Sequence, residues 1–272
     1  MNTRSVLAVS ALLAVIAPAI ATAQTNVSPN LGAGLGSFYT DRYTPPGFNL
    51  LNGIQGRNNV LQIDINSTSD AANRGGQNQT FYNTQGKKTD VNTAGSWLFQ
   101  SDLFVQSSWA NAQSGYVRTD IWATATDDAL FQNPSQYPIV GFTNYGGAAR
   151  FRGYDVNADA WIDFSNSINF GSWNTLGMGF DLATNTFSYY VNGVLAGSLV
   201  GAAASTGVAN VMYQAYNFND PAIGVSGNAA YSAQWSNTST VPEPSTYALM
   251  ASGLLALGLV ARRRRNAATV SV

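Results

Sequence analysis

Residues 173–198 read WNTLGMGFDLATNTFSYYVNGVLAGS, and their alternation leaves little freedom in how this chain can fold. Leu176, Met178 and Phe180 recur at every second position, as do Phe187, Tyr189 and Val191. A period of two puts one set of side chains on one face of a strand and the rest on the other. Between the two runs Ala183-Thr184-Asn185 supplies a turn, and Asn192-Gly193 supplies the positive backbone angles of a type I′ hairpin before Val194 and Leu195. Three antiparallel strands are therefore expected here.

The same signal recurs along the chain. In YVRTDIWATATD (116–127), Val117, Thr119, Ile121, Ala123 and Ala125 share one face, and Tyr116, Arg118, Asp120, Trp122 and Thr124 share the other. Further strand-like runs are VLQIDI, SWLFQSDLFV, YPIVGF, ARFRGY, AWIDF, VANVMYQAY and AAYSAQW, most of them separated by Gly, Asn, Asp or Pro. No stretch between the two ends has a helical period, and no internal repeat is visible. The fold class expected is all-β, in one domain.

The two ends read differently. MNTRSVLAVSALLAVIAPAIATAQ places Arg4 before an apolar run and Ala21-Thr22-Ala23 before Gln24, the layout of a secretory signal peptide over 1–23. At the other end, Tyr247 to Ala261 is apolar and would span about 22 Å as a helix, against a hydrocarbon core of about 30 Å. Arg262, Arg263, Arg264 and Arg265 follow at once and would hold that end on the cytoplasmic side of the inner membrane. Only Ser252 interrupts Ala248 to Val260, so the segment has no polar face and does not read as a core helix.

Val241-Pro242-Glu243-Pro244-Ser245, the apolar segment and the arginine cluster, in that order, resemble the PEP-CTERM protein-sorting signal of Gram-negative bacteria. The resemblance implies recognition of Pro242, Glu243 and Pro244 by a membrane-embedded exosortase. Release or transfer to the cell surface would follow, commonly in bacteria that make extracellular polysaccharide. It makes Glu243 a sorting residue, not a catalyst.

FDLATNTFSYYVNGVLAG, together with GSWLFQSDLFV and AAYSAQW, is similar to concanavalin A-like and laminin G-like jelly rolls. That likeness implies a two-sheet sandwich and, more loosely, glycan or cell-surface binding. The organisation expected is a signal peptide (1–23), an N-terminal leader with first turns (24–57) and a sandwich (58–237). A linker carrying Pro-Glu-Pro (238–246), a transmembrane helix (247–261) and a basic cytoplasmic tail (262–272) complete it. NLGAGLGS at 30–37 is read as flexible leader, since its glycine spacing fits no dinucleotide fingerprint.

Composition removes whole classes of chemistry. The chain has no Cys and no His, so thiolate and imidazole metal sites and Ser-His or Cys-His catalysis are excluded. Between Gln24 and Val241 there are 13 Asp against 6 Arg and 2 Lys, a formal charge of −5 that opposes nucleic acid as a partner. Every acidic residue except Glu243 is Asp. Glycosidases set two carboxyl groups across the scissile bond, and the resemblance implies glutamates on one strand for glucan-cleaving relatives. The body has none to offer. Asp127-Asp128 read as a solvated turn, and Lys87-Lys88, after Gly86, as a charged turn.

Two readings stand for DVNADAWID (155–163). Asp155, Asn157, Asp159 and Asp163 put oxygen groups at alternating positions, as calcium loops do, but Ala160 and Asn166 stand where an EF-hand loop needs Gly and Glu. The other reading is a polar loop leading into AWIDF. Trp97, Trp109, Trp122, Trp161, Trp173 and Trp235 are expected in core or sheet packing, and would stack on sugars if exposed. The function expected is an exported, non-catalytic surface or matrix protein associated with glycan or exopolysaccharide. The alternative is a polysaccharide hydrolase or lyase running on Asp155, Asp159 or Asp163.

Overall fold

The computed structural model describes residues 24–41, 47–66, 84–111, 116–216 and 230–237. The signal peptide, the linker, the transmembrane helix and the basic tail expected from the sequence lie outside the described residues. Among the described ones no helix is long and apolar enough to cross a membrane.

Sixteen strands carry the described chain. The first six are β1 (Thr25–Asn26), β2 (Tyr39–Thr40), β3 (Phe48–Leu51), β4 (Val60–Asn66), β5 (Thr84–Ala94) and β6 (Trp97–Val105). Then come β7 (Arg118–Thr126), β8 (Pro134–Gln136), β9 (Ile139–Thr143), β10 (Arg150–Asp155) and β11 (Ala160–Asp163). The last five are β12 (Ser172–Asp181), β13 (Thr186–Val191), β14 (Val194–Val200), β15 (Gly207–Tyr216) and β16 (Ala230–Ser236).

They form two sheets. One runs β14-β13-β12-β6-β16-β4-β3, with β1 pairing parallel to β6; the other runs β11-β10-β9-β7-β15-β5-β2, with β8 beside β7. We call them the first and second sheets. Apart from β1 the pairs are antiparallel, and the chain changes sheet repeatedly, giving the two-sheet jelly-roll sandwich that the sequence implied.

The hairpin read from the sequence forms as expected. Leu176 pairs with Val191, Met178 with Tyr189 and Phe180 with Phe187, and all six are buried. Asn192 and Gly193 have φ of 51° and 78°, the pair of positive angles that a type I′ turn requires. In β7 the face carrying Thr119, Ile121, Ala123 and Ala125 is buried against the first sheet.

Large aromatic side chains fill the space between the sheets. Tyr213 of the second sheet packs edge-on to Phe99 of the first, with ring centroids 5.6 Å apart, and lies 5.7 Å from Trp235. Each buried polar handle on these two rings finds a partner: Trp235 Nε1 donates to Thr119 Oγ1 at 2.9 Å, and Tyr213 OH donates to Asn237 Oδ1 at 2.9 Å. Such pairing offsets the cost of burying polar atoms with the rings.

Two stretches differ from the sequence reading. Residues 24–57 supply β1, β2 and β3, and within NLGAGLGS Leu31 is buried in the core while Asn30 caps a short 3₁₀ turn. Lys87 and Lys88 lie inside β5 instead of a turn. The run TQGKKTDVNTA has no apolar alternation, and β5 is held by its ladders to β15 and β2 instead.

Candidate functional site

The outward face of the second sheet carries the chemistry. Adjacent strands place side chains in transverse rows across it. One row runs Gly86, Gln214, Asp120, Gly141, Arg152 and Asp163, from β5 to β11. The next runs Tyr39, Lys88, Met212, Trp122 and Ile139, with Tyr154 and Trp161 paired at the β10–β11 edge. Beyond it Asp90, Asn210 and Thr124 align, and Thr124 Oγ1 donates to Asn210 Oδ1 at 2.9 Å.

Over these rows lies a hollow of about 630 Å³. Trp122, Tyr137, Tyr154 and Trp161 give it aromatic walls, and Asp41, Lys88, Arg118, Thr124 and Asn210 give it polar groups. Its volume falls in the range of about 300–1,000 Å³ usual for small-molecule sites.

Most charges here are paired. Arg118 Nε donates to Asp120 Oδ2 at 2.7 Å, Lys88 Nζ lies 3.2 Å from Asp41 Oδ1, and Arg150 Nε lies 2.7 Å from Asp163 Oδ1. Asp120 is fully buried; Gln214 Nε2 also donates to its Oδ2, at 3.0 Å, while Oδ1 has no hydrogen-bond partner among the described residues. The Arg152 guanidinium stacks 3.7 Å above the Trp161 ring and has no hydrogen bond or ion pair among the described residues. Arg118 lies 4.7 Å from the same ring. Burial, with only partial relief from Asp120, lowers the Arg152 pKa to about 10.

The DVNADAWID residues do not converge. Asp155 Oδ1 closes a turn by accepting from the Asn157 and Ala158 amides at 2.8 and 3.2 Å. Asn157 Nδ2 donates to the Val200 carbonyl at 2.7 Å, the Tyr154 hydroxyl donates to Asp159, and Asp163 takes Arg150. Among the described residues no three acidic groups gather as a metal site. The reason is the β10–β11 hairpin: it pairs Asp155 with Ala160 at the turn and sets Asp163 opposite Arg152, farther along the strands. The hydrogen bond from Tyr154 to Asp159 and partial burial raise the Tyr154 pKa to about 12.

The other candidates separate cleanly. Asp128 Oδ1 accepts from the Gln132 and Asn133 amides at 2.9 and 3.1 Å, in the turn expected for it. Trp97, Trp109 and Trp235 are in the core. Trp173 lies on the first sheet, with Arg57 4.2 Å above its ring, and Trp122 and Trp161 border the hollow. Pro242, Glu243, Pro244 and Arg262 to Arg265 lie outside the described residues. The sequence reading named Arg118, Asp120, Trp122 and Thr124 as one strand face but did not read them as a site. The available signal was that face itself: a cation, an anion and an aromatic ring opposite a small apolar set.

Comparison with known proteins gives two kinds of match. Residues 240–265 match the PEP-CTERM protein-sorting motif, which marks an exported protein sorted to the cell envelope or surface and implies recognition by an exosortase. Among curated proteins none matches the chain. Among solved structures the chain is similar to a legume lectin-like domain from Entamoeba histolytica, at 8% identity and a TM-score of 0.43, over 78% of this chain and 92% of that one. It is similar to a carbohydrate-binding module from Bacillus subtilis at 9% identity and a TM-score of 0.37, over 72% and 94%. A sialidase aligns at 12% identity and a TM-score of 0.46, over 75% of this chain and 17% of its own length.

Proposed function

We propose that the protein is an exported, non-catalytic glycan-binding module of the cell surface or extracellular matrix, and that the hollow on the second sheet is its binding site. One observation carries this reading: four aromatic side chains, Trp122, Tyr137, Tyr154 and Trp161, line one concavity together with the polar groups of Asp41, Lys88, Arg118, Thr124 and Asn210. A sugar ring is amphipathic. Its C–H face packs on an aromatic ring while its hydroxyl groups seek donors and acceptors such as Thr124, Asn210 and the Lys88–Asp41 pair. Extracellular polysaccharide is the ligand that the sorting tail and this chemistry suggest together.

The carboxylates of the face favour binding over hydrolysis. Asp41 is held by Lys88, and Asp120 lies buried beneath Arg118 and Gln214, so neither is poised as a free acid facing a sugar. The test is a glycan-binding screen of the full-length protein in mild detergent, with calcium and with chelator, beside Trp161→Ala. Binding that survives chelation and is lost in Trp161→Ala is the expected result. Polysaccharide cleavage abolished by Asp→Asn changes at 155, 159 or 163 would overturn it.

A further inference from the structure

Away from the turn, the β10–β11 corner of this face holds three arginines and two carboxylates, Asp120 and Asp163. Arg118 is paired to Asp120 and Arg150 to Asp163, each at 2.7 Å, and Arg152 is left over. Arg152 is only 8% exposed, and its Nε is buried with no acceptor among the described residues. A buried cation with no ion pair of its own is a strained choice, because the hydration it loses is only partly offset by the charges of Asp120 and Asp163. Its one strong contact is the Trp161 ring, 3.7 Å away, and a cation–π contact does not use the in-plane N–H donors. Trp161 lines the hollow, as does Arg118, whose guanidinium meets the same ring. The ring stands on β11, an edge strand of four residues that pairs with β10 alone, so it is the wall of the hollow best able to yield.

We propose that this corner takes the carboxylate of an acidic sugar, with Arg152 and Arg118 as its donors and Trp161 as the platform for the ring. The inference rests on the glycan-binding reading and adds the charge class of the ligand. A carboxylate offers two oxygens to the fork of a guanidinium and is held bidentately, as a single hydroxyl group is not. The excess of positive charge is local to the Arg118–Arg150–Arg152 end of the hairpin, since Asp155 and Asp159 stand at its turn. Because the exported segment carries −5 overall, dense polyanions are repelled at longer range and single carboxylates are selected.

The test compares glucuronate- and galacturonate-terminated oligosaccharides with their carboxyl-reduced counterparts on the full-length protein. Arg152→Gln and Arg152→Lys are measured in parallel, with dextran sulfate as the polyanion control. The acid form of at least one pair should bind roughly tenfold tighter or more than its reduced form. That preference should vanish in Arg152→Gln and shrink in Arg152→Lys, which keeps the charge but loses the fork. Equal binding of acid and reduced forms by the unaltered protein overturns the inference and leaves glycan binding intact. Binding of neither overturns both. An acid preference that survives in Arg152→Gln removes Arg152 from the site, and dextran sulfate bound as tightly as the uronates overturns the selection of single carboxylates over dense polyanions.

Discussion

Gly141 stands directly opposite Asp120 in the second sheet, and a β-carbon at position 141 would fall 2.0 Å from Asp120 Oδ1 and 2.4 Å from the Thr119 carbonyl. The carboxylate occupies the space that any other residue would need. Gly141→Ala is therefore expected to cost about 3 kcal/mol, through overpacking against a buried ion pair that cannot move aside. Urea denaturation monitored by tryptophan fluorescence measures it. Gly36→Ala is the control: no atom lies within 4 Å of a β-carbon there, and its effect should stay within about 0.5 kcal/mol.

The aromatic walls separate binding from stability. Trp161→Ala and Trp122→Ala should each weaken glycan binding roughly tenfold or more while the protein remains folded, because both rings border the hollow. Trp235→Ala should instead lose about 3–5 kcal/mol of stability, since that ring is fully buried between the sheets. Titration calorimetry and thermal melts on the three variants distinguish the two roles.

Arg152 should be retained at a cost in stability. Replacing it by Met keeps a polarizable stem against Trp161 and removes a buried, unpaired cation. Arg152→Met should raise stability by about 1 kcal/mol, seen as a rise in the melting temperature of about 2–4 °C. A fall would mean that the cation is compensated in the free protein.

The buried phenols set an alkaline limit. Burial raises the pKa values of Tyr189, Tyr213 and Tyr231 well above the ordinary 10.0. The folded protein thus keeps protons that the unfolded chain releases above pH 10, so these groups contribute fully below that pH and their contribution falls as pH rises beyond it. The phenolate absorbance of these three tyrosines should appear cooperatively, as the sandwich opens, and not gradually with pH. A single gradual titration of all tyrosines would contradict the buried positions.

The sorting motif matched at residues 240–265 contains the chain's one glutamate. Glu243→Ala should leave an unprocessed precursor in the membrane fraction of an exosortase-bearing host, where the unaltered protein should be released or moved to the surface. Immunoblotting of fractionated cells reads the outcome.

Alternation alone determined the class of fold, because a strand buries every second side chain and the runs around Phe180, Phe187 and Ile121 obey that rule. Asn192-Gly193 fixed a turn for an equally local reason: few other residue pairs accept two positive φ angles. The sorting tail was legible for the same reason, as a linear signal read in order. What required the tertiary structure was every relationship across strands. The polar strand β5 has no alternation to announce it and is held by ladders to β15 and β2. Asp155, Asn157, Asp159 and Asp163 look convergent in sequence, yet a hairpin register sends them to different partners. Arg118, Arg152 and Trp161 are far apart or unremarked along the chain, and pairing among β7, β9, β10 and β11 brings them to one corner. Local propensity specifies a strand and its two faces; which residues of different strands become neighbours is fixed only by pairing register, and on this sheet register assembles the site.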